Sequence, residues 1–173
     1  GAAGLAYLYI DRRHLGTTPP HAAAPGSAGS HHPAENSIFI PKPGAERFAT
    51  GIPNLIGLAA SRAGLEILLG VGMSNVEEHV LDLSGYCVRG LGERDLRVLT
   101  PSEPEHRGGV VAFVMDNPLE VEAFMRGRQV DVFGGHTYNS TVRVDPHVFN
   151  NHGDLDCFFE LLDEYLSGHG RQR

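Results

Sequence analysis

Residues 141–166, Thr-Val-Arg-Val-Asp-Pro-His-Val-Phe-Asn-Asn-His-Gly-Asp-Leu-Asp-Cys-Phe-Phe-Glu-Leu-Leu-Asp-Glu-Tyr-Leu, constrain the fold more than any other stretch. Within them a period of two gives way to a helical period. Val142 and Val144 alternate with Arg143, so a strand here turns both valines toward a core and Arg143 to the opposite face. Pro146 cannot donate to a ladder and ends the strand. After the turn at Asn150 and Asn151, Asn151 is placed to cap a helix with Asp154 at its third position. Leu155, Phe158, Phe159, Leu162 and Leu166 then recur on one face, which predicts a helix lying on a sheet. Taken alone, Arg143 reads in two ways. It is a surface arginine in a strand, the commoner case, or a planar fork on a rigid element, suited to anchoring the carboxylate of an amino acid or other small acid.

A chain of 173 residues, 41% of them hydrophobic, can bury the core of one ordinary domain, or of one domain with an appendage from a larger fold. Its 14 basic and 21 acidic residues give a formal charge of −7, which argues against a general nucleic-acid or anionic-membrane surface. No apolar run approaches the roughly 20 residues of a membrane span, and residues 1–10 lack the basic start and long apolar middle of a signal peptide. The expectation is a cytoplasmic protein with no membrane and no nucleic-acid partner. Cys87 and Cys157 fall in predicted helices without metal-ligand spacing, so both are expected to be reduced core thiols.

Taken in order, residues 5–10 read as a strand apolar on both faces, an interior strand that calls for sheet neighbours upstream of the chain. Residues 17–36 are rich in Pro, Ala, Gly, Ser and His and read as a long mobile loop. His31 and His32 in that loop have no cysteine or carboxylate beside them, and no metal site is expected there. Ile38, Phe39 and Ile40 form a brief extended stretch ended by Pro41. Lys42, the sole lysine, stands between two prolines, a poor place for the desolvation that activates an amine.

A helix opens after Gly51, Ile52, Pro53 and Asn54 and runs to about Gly70, with Leu55, Leu58, Ala59, Leu65 and Leu69 on one stripe. Ser74 and Glu77 form a capping box for a second helix whose stripe is Val76, Val80, Leu83, Cys87 and Leu91. Residues 96–99, 110–115 and 130–133 are strand candidates, and Asn117 with Pro118 caps a short helix between the last two. The class is α/β: a small sandwich with helices on one face of a mixed or antiparallel sheet, preceded by a strand and long helices. The expected division is 1–50, the last strand of a larger domain and a loop; 51–92, long connecting helices; and 93–173, a small C-terminal α/β domain. There is no phosphate-loop or dinucleotide fingerprint and no convincing nucleophile with its base.

Several of these segments together resemble the C-terminal part of class V aminotransferases, the fold type I pyridoxal-phosphate group that includes cysteine desulfurases, kynureninases and isopenicillin N epimerase-like enzymes. They are Gly-Ile-Pro-Asn at 51–54, the helix with Ala-Ser-Arg-Ala-Gly-Leu-Glu, Thr100-Pro101, Arg107-Gly-Gly, and Val-Arg-Val-Asp-Pro-His-Val-Phe-Asn at 142–150. The resemblance implies pyridoxal 5'-phosphate in the complete enzyme, an amino-acid substrate, and a homodimer or an N-terminal companion segment. It implies that Arg143 pairs with the substrate carboxylate and that His136 stands in a turn where relatives place active-site residues. It further implies that Gly51, Ile52 and Asn54 reach the cofactor phosphate of the neighbouring subunit at a helix start. Ile52 replaces the family's usual threonine, which removes a hydroxyl donor.

Two departures stand out. Relatives hold the cofactor covalently through a lysine just upstream of the Gly-x-x-Gly segment at residue 1, and that lysine is not here. Desulfurases carry a sulfur-accepting cysteine in the loop corresponding to residues 134–140, and that loop has none. This disfavours persulfide chemistry and leaves transamination, epimerisation or carbon–sulfur lyase chemistry. The alternative is a non-catalytic relative that serves as a dimerisation or partner-binding module.

Overall fold

The computed structural model describes residues 5–21, 26–29, 39–49, 51, 53–135 and 140–169. His31 and His32 lie outside them. The chain divides into two compact units, residues 1–70 and 71–173.

In the first unit, Asp11 caps the short helix α1 (Arg12–Leu15) by accepting the Arg13 amide at 3.0 Å. Arg47, on a 3-10 turn over Ala45–Phe48, donates to the Leu15 carbonyl. Ala28 and Pro41 form an isolated antiparallel bridge beside the fully buried Ser27. The strand expected over residues 5–10 does not form: these residues carry no ladder, and Tyr7, Leu8 and Tyr9 are exposed. A strand apolar on both faces exists only between neighbours that take its amides and cover its side chains, and no described segment does so. The unit continues into α2 (Leu55–Val71), where the Asn54 Oδ1 accepts the Gly57 amide at 2.9 Å and caps the first turn.

The second unit holds the core. Helix α3 (Met73–Gly92) buries Val76, Leu83, Cys87 and Leu91 on one stripe. It starts one residue before Ser74, so the predicted capping box is not used. Gly72 is the N-cap with φ 90°, a conformation that glycine alone adopts cheaply. Asn75 instead donates from its side chain to the Val71 carbonyl at 2.8 Å. Strand β1 (Val111–Val114), helix α4 (Pro118–Arg126), strands β2 (Phe133–Gly134) and β3 (Thr141–Val144), and helix α5 (His152–His169) follow.

The sheet is antiparallel in the order β1-β3-β2, with Val111 opposite Val144 and Phe113 opposite Val142. These four side chains are buried in one cluster with Leu83 and Leu91 of α3, Met125 of α4, and Leu155, Phe158 and Leu162 of α5. Phe158 of α5 meets Phe113 of β1 with ring centroids 6.4 Å apart. Residues 96–99 run along the outer side of β1: the Leu99 amide donates to the Ala112 carbonyl at 2.8 Å, and the Val114 amide to the Arg97 carbonyl at 2.9 Å.

The strand predicted at 130–133 is shorter and later than expected. Val130 donates to the Met125 carbonyl, and Gln129 takes φ 64°, so these residues close helix α4 instead of opening a strand. On the far side of β2, the Gly134 amide donates to Glu122 Oε2 of α4 at 2.9 Å. A Cβ there would lie 2.3 Å from the Pro118 carbonyl oxygen, so only glycine lets α4 approach this closely.

Close approach also defines the α3–α5 contact. A Cβ at Gly90 would fall 2.3 Å from the Phe159 ring, and the Arg94 guanidinium lies over that ring at 4.4 Å. Arg94 further makes a forked pair with Asp163, Nε to Oδ1 at 2.8 Å and NH2 to Oδ2 at 2.7 Å. Arg107 ties its loop to α3, reaching the Leu81 carbonyl and the buried Ser84 hydroxyl. Cys87 is buried as expected, but Cys157 is exposed. Position 157 falls off the stripe of Leu155, Phe158 and Phe159, on the outward side of α5. Among the described residues no single helix is long and apolar enough to cross a membrane.

Candidate functional site

Two features of β3 and the turn behind it fix Arg143. Its flanking valines are buried in the core, and the strand is central, so its backbone is paired on both sides. The turn into α5 is closed by side chains: the His147 amide donates to Asn150 Oδ1 at 3.0 Å, and the Asn150 amide to the His147 carbonyl at 2.9 Å. Asn151 then accepts the Gly153 amide at 2.8 Å while its own amide donates to Asp154 at 2.9 Å, the reciprocal cap that the sequence predicts.

The Arg143 side chain leaves the sheet on the face away from the core, where its cross-strand neighbours are Ala112 and Phe133. It remains 46% exposed. The guanidinium carbon stands 4.9 Å from the centre of the Phe133 ring, a cation–π contact that places the fork against an apolar side chain. Both Nε and NH2 address one oxygen, Asp145 Oδ2, at 3.1 and 3.0 Å. The arginine opens on a groove of about 690 Å³ shared with Arg126, Arg128, Asp131, Asp145 and Asp154. Such a fork at the rim of a groove is equipped to bind a small carboxylate.

The sequence signal for Arg143 was the alternation of β3. Asp145 was legible by the same rule, since two residues along a strand return to the same face, but its role depends on the arginine conformation. Phe133 could not be paired with Arg143 before the register of β2 was known. The exposed Cys157 lines the same groove. His136 and Ile52 lie outside the described residues. Gly51 and Asn54 are exposed at the start of α2, with the Asn54 side chain already engaged in capping. Lys42 is pinned instead of poised: its Nζ donates to the Gly26 carbonyl at 2.9 Å and its amide to the Ser27 carbonyl at 2.9 Å. Among the described residues no cluster of His, Cys, Asp or Glu could hold a metal ion.

Residues 1–158 match the aminotransferase class-V family, and the chain belongs to it. A probable cysteine desulfurase of Pyrococcus abyssi is 24% identical over 178 residues, which is 96% of this chain and 44% of that protein. The apo structure of a cysteine desulfurase from Thermococcus onnurineus NA1 superposes with a TM-score of 0.71 at 24% identity, covering 92% of this chain and 42% of its own. The cystine C–S lyase C-DES, solved with its reaction product cysteine persulfide, gives 0.68 at 18% identity, over 90% and 41%. The chain thus spans less than half the length of these relatives, and its fold is that of the C-terminal portion of fold type I pyridoxal-phosphate enzymes. The family depends on pyridoxal 5'-phosphate. The described residues do not hold that group unaided: the one lysine is committed to a backbone carbonyl, and the start of α2 offers only backbone amides.

Proposed function

We propose that this chain is the C-terminal portion of a pyridoxal-phosphate-dependent enzyme that acts on an amino acid, and that Arg143 anchors the substrate carboxylate. The observation that carries this reading is the Arg143 fork, held over Phe133 on a central strand and presented to a groove. Carbon–sulfur lyase-like chemistry is preferred over transamination or epimerisation, because the relatives are named for carbon–sulfur cleavage. Residues 134–140 carry no cysteine to take up sulfur, which weighs against a protein-bound persulfide. The lysine that receives the cofactor comes from outside these 173 residues. His136 contributes beside the substrate, and Gly51, Ile52 and Asn54 offer backbone amides to the cofactor phosphate of a neighbouring subunit. In this arrangement residues 1–50 belong to the edge of a larger domain, 51–92 connect, and 93–173 form the small domain.

One observation favours a second reading, a non-catalytic module for dimerisation or partner binding: α2 exposes nearly all its apolar residues. A single pair of experiments separates the two. The chain is supplied with a lysine-bearing companion segment and assayed on amino acids. Arg143→Ala is then expected to raise KM about 10- to 100-fold, as for loss of a charged hydrogen-bonded pair worth about 1.5 to 3 kcal/mol. Arg143→Lys recovers only part of this, because a point charge does not replace a fork. An unchanged KM and turnover in Arg143→Ala, or a borohydride-fixed pyridoxal adduct on Lys42, overturns the assignment.

A further inference from the structure

We propose that Asp145 sets the ligand selectivity of Arg143, occupying one edge of its guanidinium so that the groove accepts a ligand with one carboxylate and disfavours a diacid. The proposal rests on the reading of Arg143 as the carboxylate anchor.

Asp145 directly follows the last residue of β3, two positions on from Arg143, a separation of about 6.6 Å in extended chain. Asp145 is therefore tethered beside Arg143 whatever else the groove contains. Its contact is one-oxygen: Nε and NH2 converge on Oδ2 at 3.1 and 3.0 Å. That takes the inner edge of the fork and leaves NH1 with the second NH2 proton for an incoming carboxylate. The Phe133 ring, 4.9 Å from the guanidinium carbon, occupies another side of the group, which leaves the NH1 side to the ligand. Both side chains of the pair are nearly half exposed, 46% and 45%. A pair so exposed binds weakly and does not lock the arginine against ligand. What Asp145 adds is a fixed negative charge next to the bound carboxylate.

The remaining arginines of the groove do not offset it. Arg126 is paired with Glu122 and stands 3.8 Å from Asp131. Arg128 is paired with Glu164 at 2.7 Å and lies over the Phe124 ring at 3.6 Å. Asp131 and Asp154 line the same groove as Asp145, and together they set a field against a second carboxylate on the ligand, since charges act over roughly 8–10 Å at moderate salt. A neutral side chain meets no such field and can rest on Phe133 or Phe149, which lies on the same groove.

The test uses the full chain, labelled with nitrogen-15 and followed by NMR at low salt while L-alanine or L-aspartate is added. The Arg143 Nε–H and the Phe133 amide report binding. The unmodified chain is expected to bind alanine more tightly than aspartate. In Asp145→Asn the aspartate Kd is expected to fall about fivefold or more, and the alanine Kd by less than about threefold, as for removal of one nearby like charge. Asp145→Ser repeats the measurement with a smaller side chain. An alanine-to-aspartate ratio unchanged in both variants overturns the selectivity role while leaving the anchor intact. Phe133 shifts that persist in Arg143→Ala, or no saturable shift with either amino acid, overturn the anchor itself.

Discussion

Helices α2 and α5 are almost equal in length, 17 and 18 residues, and opposite in environment. In α5 the apolar residues keep to one side: Leu155, Phe158, Phe159, Leu162 and Tyr165 are buried, while Asp154, Asp156, Glu160 and Asp163 face outward. In α2 the apolar residues run all the way round. Leu55, Ile56, Leu58, Leu65, Ile67 and Leu69 are exposed, and Gly57 is its one buried residue. A helix apolar on every side belongs to the interior of a larger body, whereas an amphipathic one needs a single layer to lie on. The sheet supplies that layer to α5. The cover for α2 is not among the described residues, which accords with relatives more than twice as long.

The largest test of this contrast is a matched truncation. Phe158→Ala removes a ring that is 2% exposed and stacked edge-on against Phe113, and is expected to cost the second unit about 3 to 5 kcal/mol in urea unfolding. Leu65→Ala, at 43% exposure, is expected to stay within about 0.5 kcal/mol. Equal costs would mean that α2 is packed in solution. Such packing would come from self-association. Leu58→Asp with Leu65→Asp is expected to lower sedimentation-measured self-association and hydrophobic-dye binding without moving the urea midpoint of the second unit, because exposed apolar patches of this kind seek cover.

A smaller effect comes from Cys87. Burial pushes its thiol from the ordinary 9.0 up to about 12. The folded state therefore holds this proton where the unfolded chain releases it. The stability it contributes is complete below pH 9 and is lost as pH rises from 9 toward 12, by about 1.4 kcal/mol per pH unit. Urea midpoints of the chain and of Cys87→Ala between pH 8 and 10.5 check this, with a steeper alkaline fall expected in the parent. Iodoacetamide at pH 8 should label Cys157 and spare Cys87 in the folded chain.

The parts legible in the sequence were those written within a few residues of one another. The alternation at 142–144 placed Arg143, and Asn151 with Asp154 announced the start of α5. Elsewhere the local signal lost to its surroundings. Ser74 and Glu77 spell a capping box, but Gly72 caps the helix two residues earlier because its positive φ is available. Val130 has strand composition, but its amide is given to the Met125 carbonyl in closing α4. Residues 5–10 have the composition of an interior strand and no described neighbours to pair with. The Asp145 contact was fixed by side-chain conformation and the Phe133 contact by register, and neither is a property of the local pattern.

Glu122 has a consequence beyond local geometry. A short edge strand such as β2 ordinarily offers free amides to any extended segment that drifts past, the opening step of sheet-to-sheet aggregation. Here the Gly134 amide is already given to the Glu122 carboxylate, and α4 crowds the strand closely enough to exclude a side chain. The opposite edge is shielded by residues 96–99, whose amide and carbonyl groups occupy β1. The two flanks of the three-stranded sheet are thereby occupied from within the chain, β1 by residues 96–99 and β2 by the Glu122 carboxylate, which leaves fewer free groups for a passing strand to pair with.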